Sequence, residues 1–94
     1  MYRPRPFADC KNLVGKRIIE LRKRDKLSQR DLAEKLQRLG VDIDKNVITR
    51  IETGKRFVTD FEIKAFAAVF EVSYEFLIDG TEAIYLEMQK NPRA

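Results

Sequence analysis

The stretch Leu27-Ser28-Gln29-Arg30-Asp31-Leu32-Ala33-Glu34-Lys35-Leu36, followed after a gap by Ile48-Thr49-Arg50-Ile51-Glu52-Thr53-Gly54-Lys55-Arg56, decides how the rest of the chain is read. In its first half Leu32, Ala33, Leu36 and Leu39 recur at helical spacing. Ser28 stands where an N-cap belongs, and Asp31 three residues on makes a weak capping box. A helix over residues 29–39 is therefore predicted, ended by Gly40. The second half is ambiguous when read alone. Val47-Ile48-Thr49-Arg50-Ile51 is rich enough in β-branched residues for a strand. Asp44 as a cap, Gly54 just past the end and the Ile48/Ile51 spacing suit a helix instead. The neighbouring segments decide for helix, because a lone strand here has nothing to pair with.

Those neighbours read as helical in both directions. Upstream, Val14, Ile18 and Leu21 form one apolar stripe on a helix over residues 13–25, with Asn12 as its cap. Downstream, Thr59-Asp60-Phe61-Glu62 is a full capping-box pattern, opening a helix to residue 70 that presents Phe61, Ile63, Phe66, Ala67 and Phe70. Ser73 caps a short helix through Ile78, and Gly80 stops it. Thr81 can cap one more, over residues 82–90, with Ile84, Tyr85 and Met88 on one face. Pro4 and Pro6 prevent a helix at the start. The expected organisation is a basic arm over 1–11, a helical domain over 12–80 and a C-terminal extension over 81–94.

Composition narrows the chemistry. With 94 residues the chain has room for one small domain, and little for a large substrate pocket with its scaffold. There is no histidine, which excludes Ser-His and Cys-His triads and metal hydrolysis through histidine ligands. The single Cys10 allows no internal disulfide and no structural zinc site, and suits a reducing cytoplasm. The longest apolar run, residues 65–70, is far short of the roughly 20 residues a membrane span needs, and the basic N-terminus has no apolar stretch behind it. The net charge of +4 is unevenly spread. Residues 1–56 hold 16 of the 19 basic side chains and 8 of the 15 acids, whereas residues 57–94 carry a net −4 and five of the six phenylalanines. A basic half of this kind is the usual electrostatic footprint of a nucleic-acid binder.

The combination Leu27-Ser28-Gln29-x-x-Leu32-Ala33 with Ile48-x-x-Ile51-Glu52-x-Gly54-Lys55, continued by Val72-Ser73-Tyr74-Glu75-Phe76-Leu77, resembles the Cro/repressor-type (XRE) helix-turn-helix family. The likeness covers about residues 13–79. It implies an all-α fold of five helices, a lambda-repressor-like DNA-binding domain, with a short N-terminal arm and an extra C-terminal helix as an option. The second and third helices would form the DNA-binding unit. One departure stands out: Leu36 and Ile48 are twelve residues apart, wider than the family usually shows. The added residues, around 37–41, should lengthen the second helix by a turn and enlarge the connection to the third.

On a helical wheel of about 100° per residue, Asn46, Thr49, Arg50 and Thr53 lie opposite the Ile48/Ile51 side, with Lys45 at the edge. Arginine can bond bidentately to guanine, asparagine to adenine, and threonine offers a hydroxyl or a methyl. Any surface helix also shows a polar face. The resemblance tips the reading, because the family's base contacts map onto Lys45, Asn46, Thr49 and Arg50. Glu52 lies only about 70° from the core direction, an odd place for an unpaired carboxylate. The family's ion pair between the first and third helices maps onto Arg22 and Glu52, with the rest of the guanidinium facing a phosphate. Gln29 matches the family's phosphate-contacting glutamine, placed at a helix N-terminus that itself suits anions. Thr53, Lys55 and Arg56 would continue along the backbone, and Arg3, Arg5 and Arg17 could add sequence-independent contacts.

The expected function is sequence-specific binding of double-stranded DNA by a transcriptional regulator, a repressor, acting as a homodimer on a pseudo-palindromic site. The third helix, residues 44–53, would enter the major groove, and a two-fold dimer would double the few base pairs one helix reads. Phe76, Leu77, Ile84, Tyr85 and Met88 are the candidates for the dimer surface, and the bland alternative makes Phe61, Phe66, Phe70 and Phe76 ordinary core. The competing function is a protein-interaction module of the same fold, antitoxin-like or anti-repressor; Arg50, Lys55 and Arg56 speak against it. An enzyme is the weakest reading, since Glu71 and Glu75 four apart suit a solvated face. No cofactor, metal, membrane or small-molecule ligand is implied.

Overall fold

The computed structural model of the protein describes residues 10–80, and among them every regular element is a helix. The elements are α1 (Gly15–Arg24), α2 (Gln29–Arg38), α3 (Lys45–Glu52), α4 (Asp60–Phe70) and α5 (Tyr74–Asp79). The five-helix expectation holds. The arm ahead of residue 10 and the extension over 81–94 lie outside the described residues. None of the described helices is long and apolar enough to cross a membrane.

Four starts are set by the side chains that the sequence offered as caps. Ser28 accepts a hydrogen bond from the Asp31 N–H while Asp31 accepts from the Ser28 N–H, closing a full capping box. Thr59 and Glu62 do the same for α4. Asp44 accepts from the Val47 N–H, and Ser73 from the Phe76 N–H. Each satisfies a backbone donor that the first helical turn leaves without a partner. The first helix differs. Its N-cap is Val14, with no side-chain cap, and Asn12 sits further out, accepting from the Gly15 N–H at 2.8 Å.

The core forms where five apolar stripes converge. Val14, Ile18 and Leu21 of the α1 segment meet Leu32 and Leu36 from α2, Ile48 and Ile51 from α3, Phe66 and Phe70 from α4, and Leu77 from α5. Ile43, in the connection between α2 and α3, is also fully buried. α1 touches α3, α4 and α5, while α2 packs on α3 and α4. Two residues expected on core stripes are not there. Leu39 caps the end of α2 and is 53% exposed, and Phe61, in the first turn of α4, is 80% exposed. The α2–α3 connection runs over residues 39–44, after α2 ends at Arg38.

The C-cap of α4 is Glu71, whose φ of 56° is left-handed, a conformation that a side chain with a Cβ pays about 1 kcal/mol or more to adopt. Arg24 supports this end by donating to the Phe70 carbonyl at 2.9 Å. Glu71→Gly should therefore stabilise the protein by about 1 kcal/mol, a rise in the thermal midpoint of roughly 4–8 °C for a domain of this size. Circular dichroism melts check it, and an unchanged or lower midpoint would contradict the assignment of strain to Glu71.

Candidate nucleic-acid interface

α2 and α3 form the helix pair on which the candidate site is built. α3 is held from beneath by Ile48 and Ile51, both fully buried, so its opposite side is left open. Lys45, Asn46, Thr49, Arg50 and Thr53 are exposed there, as is Lys55 just beyond. Among the described residues Lys45, Arg50 and Lys55 make no ion pair. Their charge therefore faces solvent unneutralised, which suits a polyanion.

The edge of α3 towards α1 and α2 is tied down by polar bonds. Arg22 Nε donates to Glu52 Oε2 at 2.8 Å and Arg22 Nη2 to Glu52 Oε1 at 3.2 Å, a two-pronged pair. The side chains are 17% and 5% exposed respectively, so the pair is largely out of water. Arg22 Nη1 also donates to the Leu27 carbonyl at 3.1 Å, bracing the turn between α1 and α2. Gln29 Nε2 donates to Glu52 Oε1 at 2.9 Å, and Thr49 Oγ1 donates to Gln29 Oε1 at 3.1 Å. Arg22, Glu52, Gln29 and Thr49 thus form one continuous chain of bonds across three helices. The amide nitrogen of Gln29 has a second N–H, and the guanidinium has outer N–H groups beyond those bonds. Both can still meet a phosphate oxygen without breaking the chain.

The far end of α3 is fastened to the segment ahead of α1. Lys11 N–H donates to the Gly54 carbonyl at 2.9 Å. Asn12 Nδ2 donates to the Ile51 carbonyl at 3.1 Å and to the Arg56 carbonyl at 2.8 Å. Gly54 turns the chain there with a φ of 76°, a conformation that glycine adopts without strain. Gly15 lies so close to α3 that a Cβ on it would overlap the Ile51 carbonyl oxygen. Asn12 read as the cap of the first helix, a place that Val14 takes. The partners of Asn12 in α3 and beyond, 39 and 44 residues away, had no local signal.

Two basic residues that the sequence reading placed near the DNA backbone, Arg56 and Arg17, are held in bonds within the protein. Arg56, expected on a phosphate, directs its guanidinium to Glu62 at the start of α4, with bonds of 2.9 and 3.1 Å. Burial pushes the Glu62 carboxyl up, but the Arg56 and Thr59 hydrogen bonds outweigh it and hold it below the ordinary glutamate value. Arg56 is therefore engaged in positioning the α3–α4 connection. Arg17 stacks over the Phe76 ring, 5.5 Å from its centroid, and bonds Glu20 at 2.6 Å. Arg24 bonds Asp25 at 2.7 Å. Leu77, offered as dimer surface, is fully buried, and Phe76 lies partly buried beneath Arg17. Ile84, Tyr85 and Met88, together with Arg3 and Arg5, lie outside the described residues.

No group of three or more His, Cys, Asp or Glu that could hold a metal ion occurs among the described residues. In comparison with known proteins, a family model described as Helix-turn-helix matches residues 18–77, which takes in all of α2, α3 and α4. No curated protein and no solved structure matches the chain.

Proposed function

Since the chain belongs to the helix-turn-helix family of Cro/repressor type, whose members are DNA-binding regulators and not enzymes, we propose that it is a sequence-specific repressor that works as a homodimer. In this reading α3 enters the major groove and presents Lys45, Asn46, Thr49 and Arg50 to the base edges. Gln29 at the start of α2, Arg22 beside it, and Thr53 and Lys55 past the end of α3 meet the phosphates on either side. Occupying the site would exclude other proteins from the same stretch of duplex.

The observation that carries this reading is the contrast between the two sides of α3. One side is fixed by Ile48, Ile51 and the Glu52 bonds, while the other shows only unpaired cations and hydrogen-bonding groups. A rigid element that keeps such a face in water has its recognition groups arranged before the ligand arrives. Thr49 sits at the join: its hydroxyl lies within bonding distance of Gln29 Oε1 and of the Lys45 carbonyl, which leaves its methyl for contact with a thymine methyl.

Titration against random-sequence duplex DNA at several salt concentrations, followed by selection of preferred sites, tests the proposal. Affinity should fall steeply with salt, and a selected site should be two-fold symmetric. No binding tighter than about millimolar at low salt would discard it. Arg50→Ala should cost about 1–3 kcal/mol on the selected site and relax preference at one position. Lys55→Ala should weaken all sequences alike and lower the salt slope by about one. A sequence-selective loss at Lys55 would contradict its phosphate role.

A further inference from the structure

The connection between α2 and α3 is tied down along its whole length. Gly40, with a φ of 86°, and Val41 close the end of α2 by donating to the Gln37 and Leu36 carbonyls at 2.9 and 3.0 Å. The Ile43 N–H donates to the Val41 carbonyl at 2.9 Å, a three-residue turn with Asp42 at its centre. Ile43 itself is fully buried, and Gln37 Nε2 donates to its carbonyl at 3.2 Å. Asp44 then caps α3 by accepting from the Val47 N–H. A segment that only had to span the gap would need none of these bonds. Their effect is to fix Asp42 relative to the first turn of α3.

Asp42 is exposed at the tip of that turn and makes no ion pair among the described residues, although Lys45 follows three positions later. The fold does not use its side chain, since Val41 and Ile43 on either side do the packing. Three residues of chain span at most roughly 11 Å, so Asp42 accompanies Lys45 to whatever surface α3 meets. With α3 in the major groove the carboxylate comes within about one Debye length of the duplex, roughly 8–10 Å at ordinary salt, where phosphates repel it. The base edges treat it unequally. Guanine and the oxygen of thymine present only acceptors in the major groove and oppose an anion, whereas cytosine presents the N4 amino donor that an aspartate accepts from. An acid held there is costly on most sequences and compensated on one kind.

We propose that Asp42 is a specificity-determining residue, which accepts a hydrogen bond from the N4 amino group of a cytosine beside the bases assigned to Lys45 and Asn46. Where that amino group is missing, its charge weakens binding, so it discriminates by repulsion as well as by contact. Gln37 is a positioning residue that holds the turn through the Ile43 carbonyl. The proposal rests on the DNA reading above and goes beyond it: an anionic side chain outside α3 sets part of the sequence preference in an interface otherwise made of cations and neutral groups.

Binding of the full chain and of its variants to the selected duplex and to random-sequence duplex, with site selection repeated for each variant, is the test. Wild type should select a cytosine at one position that Arg50→Ala does not relax. Asp42→Ala should lose that cytosine and bind the selected duplex about 5- to 100-fold more weakly, yet bind random duplex more tightly than wild type. Its melt should coincide with wild type, because the side chain is already in water. Asp42→Asn keeps an acceptor oxygen without the charge, so it should retain part of the cytosine preference while gaining affinity for random duplex. Gln37→Ala should blur the same position without that gain, since the Asp42 charge remains. An Asp42→Ala protein that changes every sequence by one factor, in either direction, overturns the proposal. So does a wild-type selection with no cytosine that the variant loses. Tight binding with unaltered preferences in Asp42→Ala sinks the proposal alone, whereas a wild-type chain that binds no duplex sinks the DNA reading together with it.

Discussion

Glu52→Ala should lower the thermal midpoint by roughly 10–20 °C and weaken DNA binding on every sequence. Glu52 receives two bonds from Arg22 and one from Gln29, and its side chain is nearly out of water. Removing it leaves the Arg22 guanidinium largely buried with only the Leu27 carbonyl. Breaking a buried pair from one side costs about 3–5 kcal/mol, and the partial exposure of Arg22 brings this to about 2–3 kcal/mol. At roughly 4–8 °C per kcal/mol, the stated shift follows. DNA affinity falls for a second reason: Gln29 loses the bond that orients its amide, and Thr49 is bonded to that same amide. A double variant, Arg22→Met/Glu52→Leu, separates the two effects. Stability should recover in large part, because an apolar pair of similar volume often replaces a buried ion pair without loss. Binding should not recover. A Glu52→Ala melt within a few degrees of wild type would show that the pair contributes little, and recovery of binding in the double variant would remove Arg22 and Glu52 from the interface.

Gly15→Ala is the second large expected effect, and its sign opposes helix propensity. Alanine at an open helical position would gain up to about 1 kcal/mol over glycine. Here its Cβ would overlap the Ile51 carbonyl oxygen and crowd the Glu52 carbonyl at 3.3 Å. Both are backbone atoms of the last turn of α3, so no side-chain rotation relieves the contact. α1 and α3 must move apart, loosening the core that Val14, Ile18 and Ile51 share. Overpacking of this kind costs about 1–3 kcal/mol, and the rigid obstacle places this case at the upper end. Urea unfolding should show a loss of about 2 kcal/mol or more. A stabilised Gly15→Ala would mean that the helices separate freely, and the close approach would lose its meaning.

Much of the architecture was legible because it is written in local terms. Ser28, Asp44, Thr59 and Ser73 each take the backbone donor expected of a cap, since capping involves only the next three residues. The α3 segment was ambiguous locally and became helical for a non-local reason: Ile48 and Ile51 are needed in a core shared with α1 and α2. What escaped the sequence depends on distance along the chain. Asn12 fastens α3, and Arg56 turns to Glu62, an acid whose capping role was already visible. Phe61 lies about 140° and 180° around α4 from Phe66 and Phe70, on the side turned away from the core, and its ring is left in water. At the site, the place of Glu52 near the core direction called for a partner, and the resemblance named Arg22. The bonds from Gln29 and Thr49 needed coordinates, because both residues read equally well as ligand contacts.

The fastening of residues 11 and 12 to the loop after α3 has a practical side. It fixes the place where the chain enters the domain, beside the final turn of the helix assigned to the groove. A fusion partner joined directly ahead of Cys10 would set out from that place and compete with duplex DNA for the same space. Such fusions should bind DNA more weakly than the cleaved protein even when their melts coincide. A partner joined directly after Gly80 would instead leave beside Arg17 on α1, and that is the end to use for immobilising the domain.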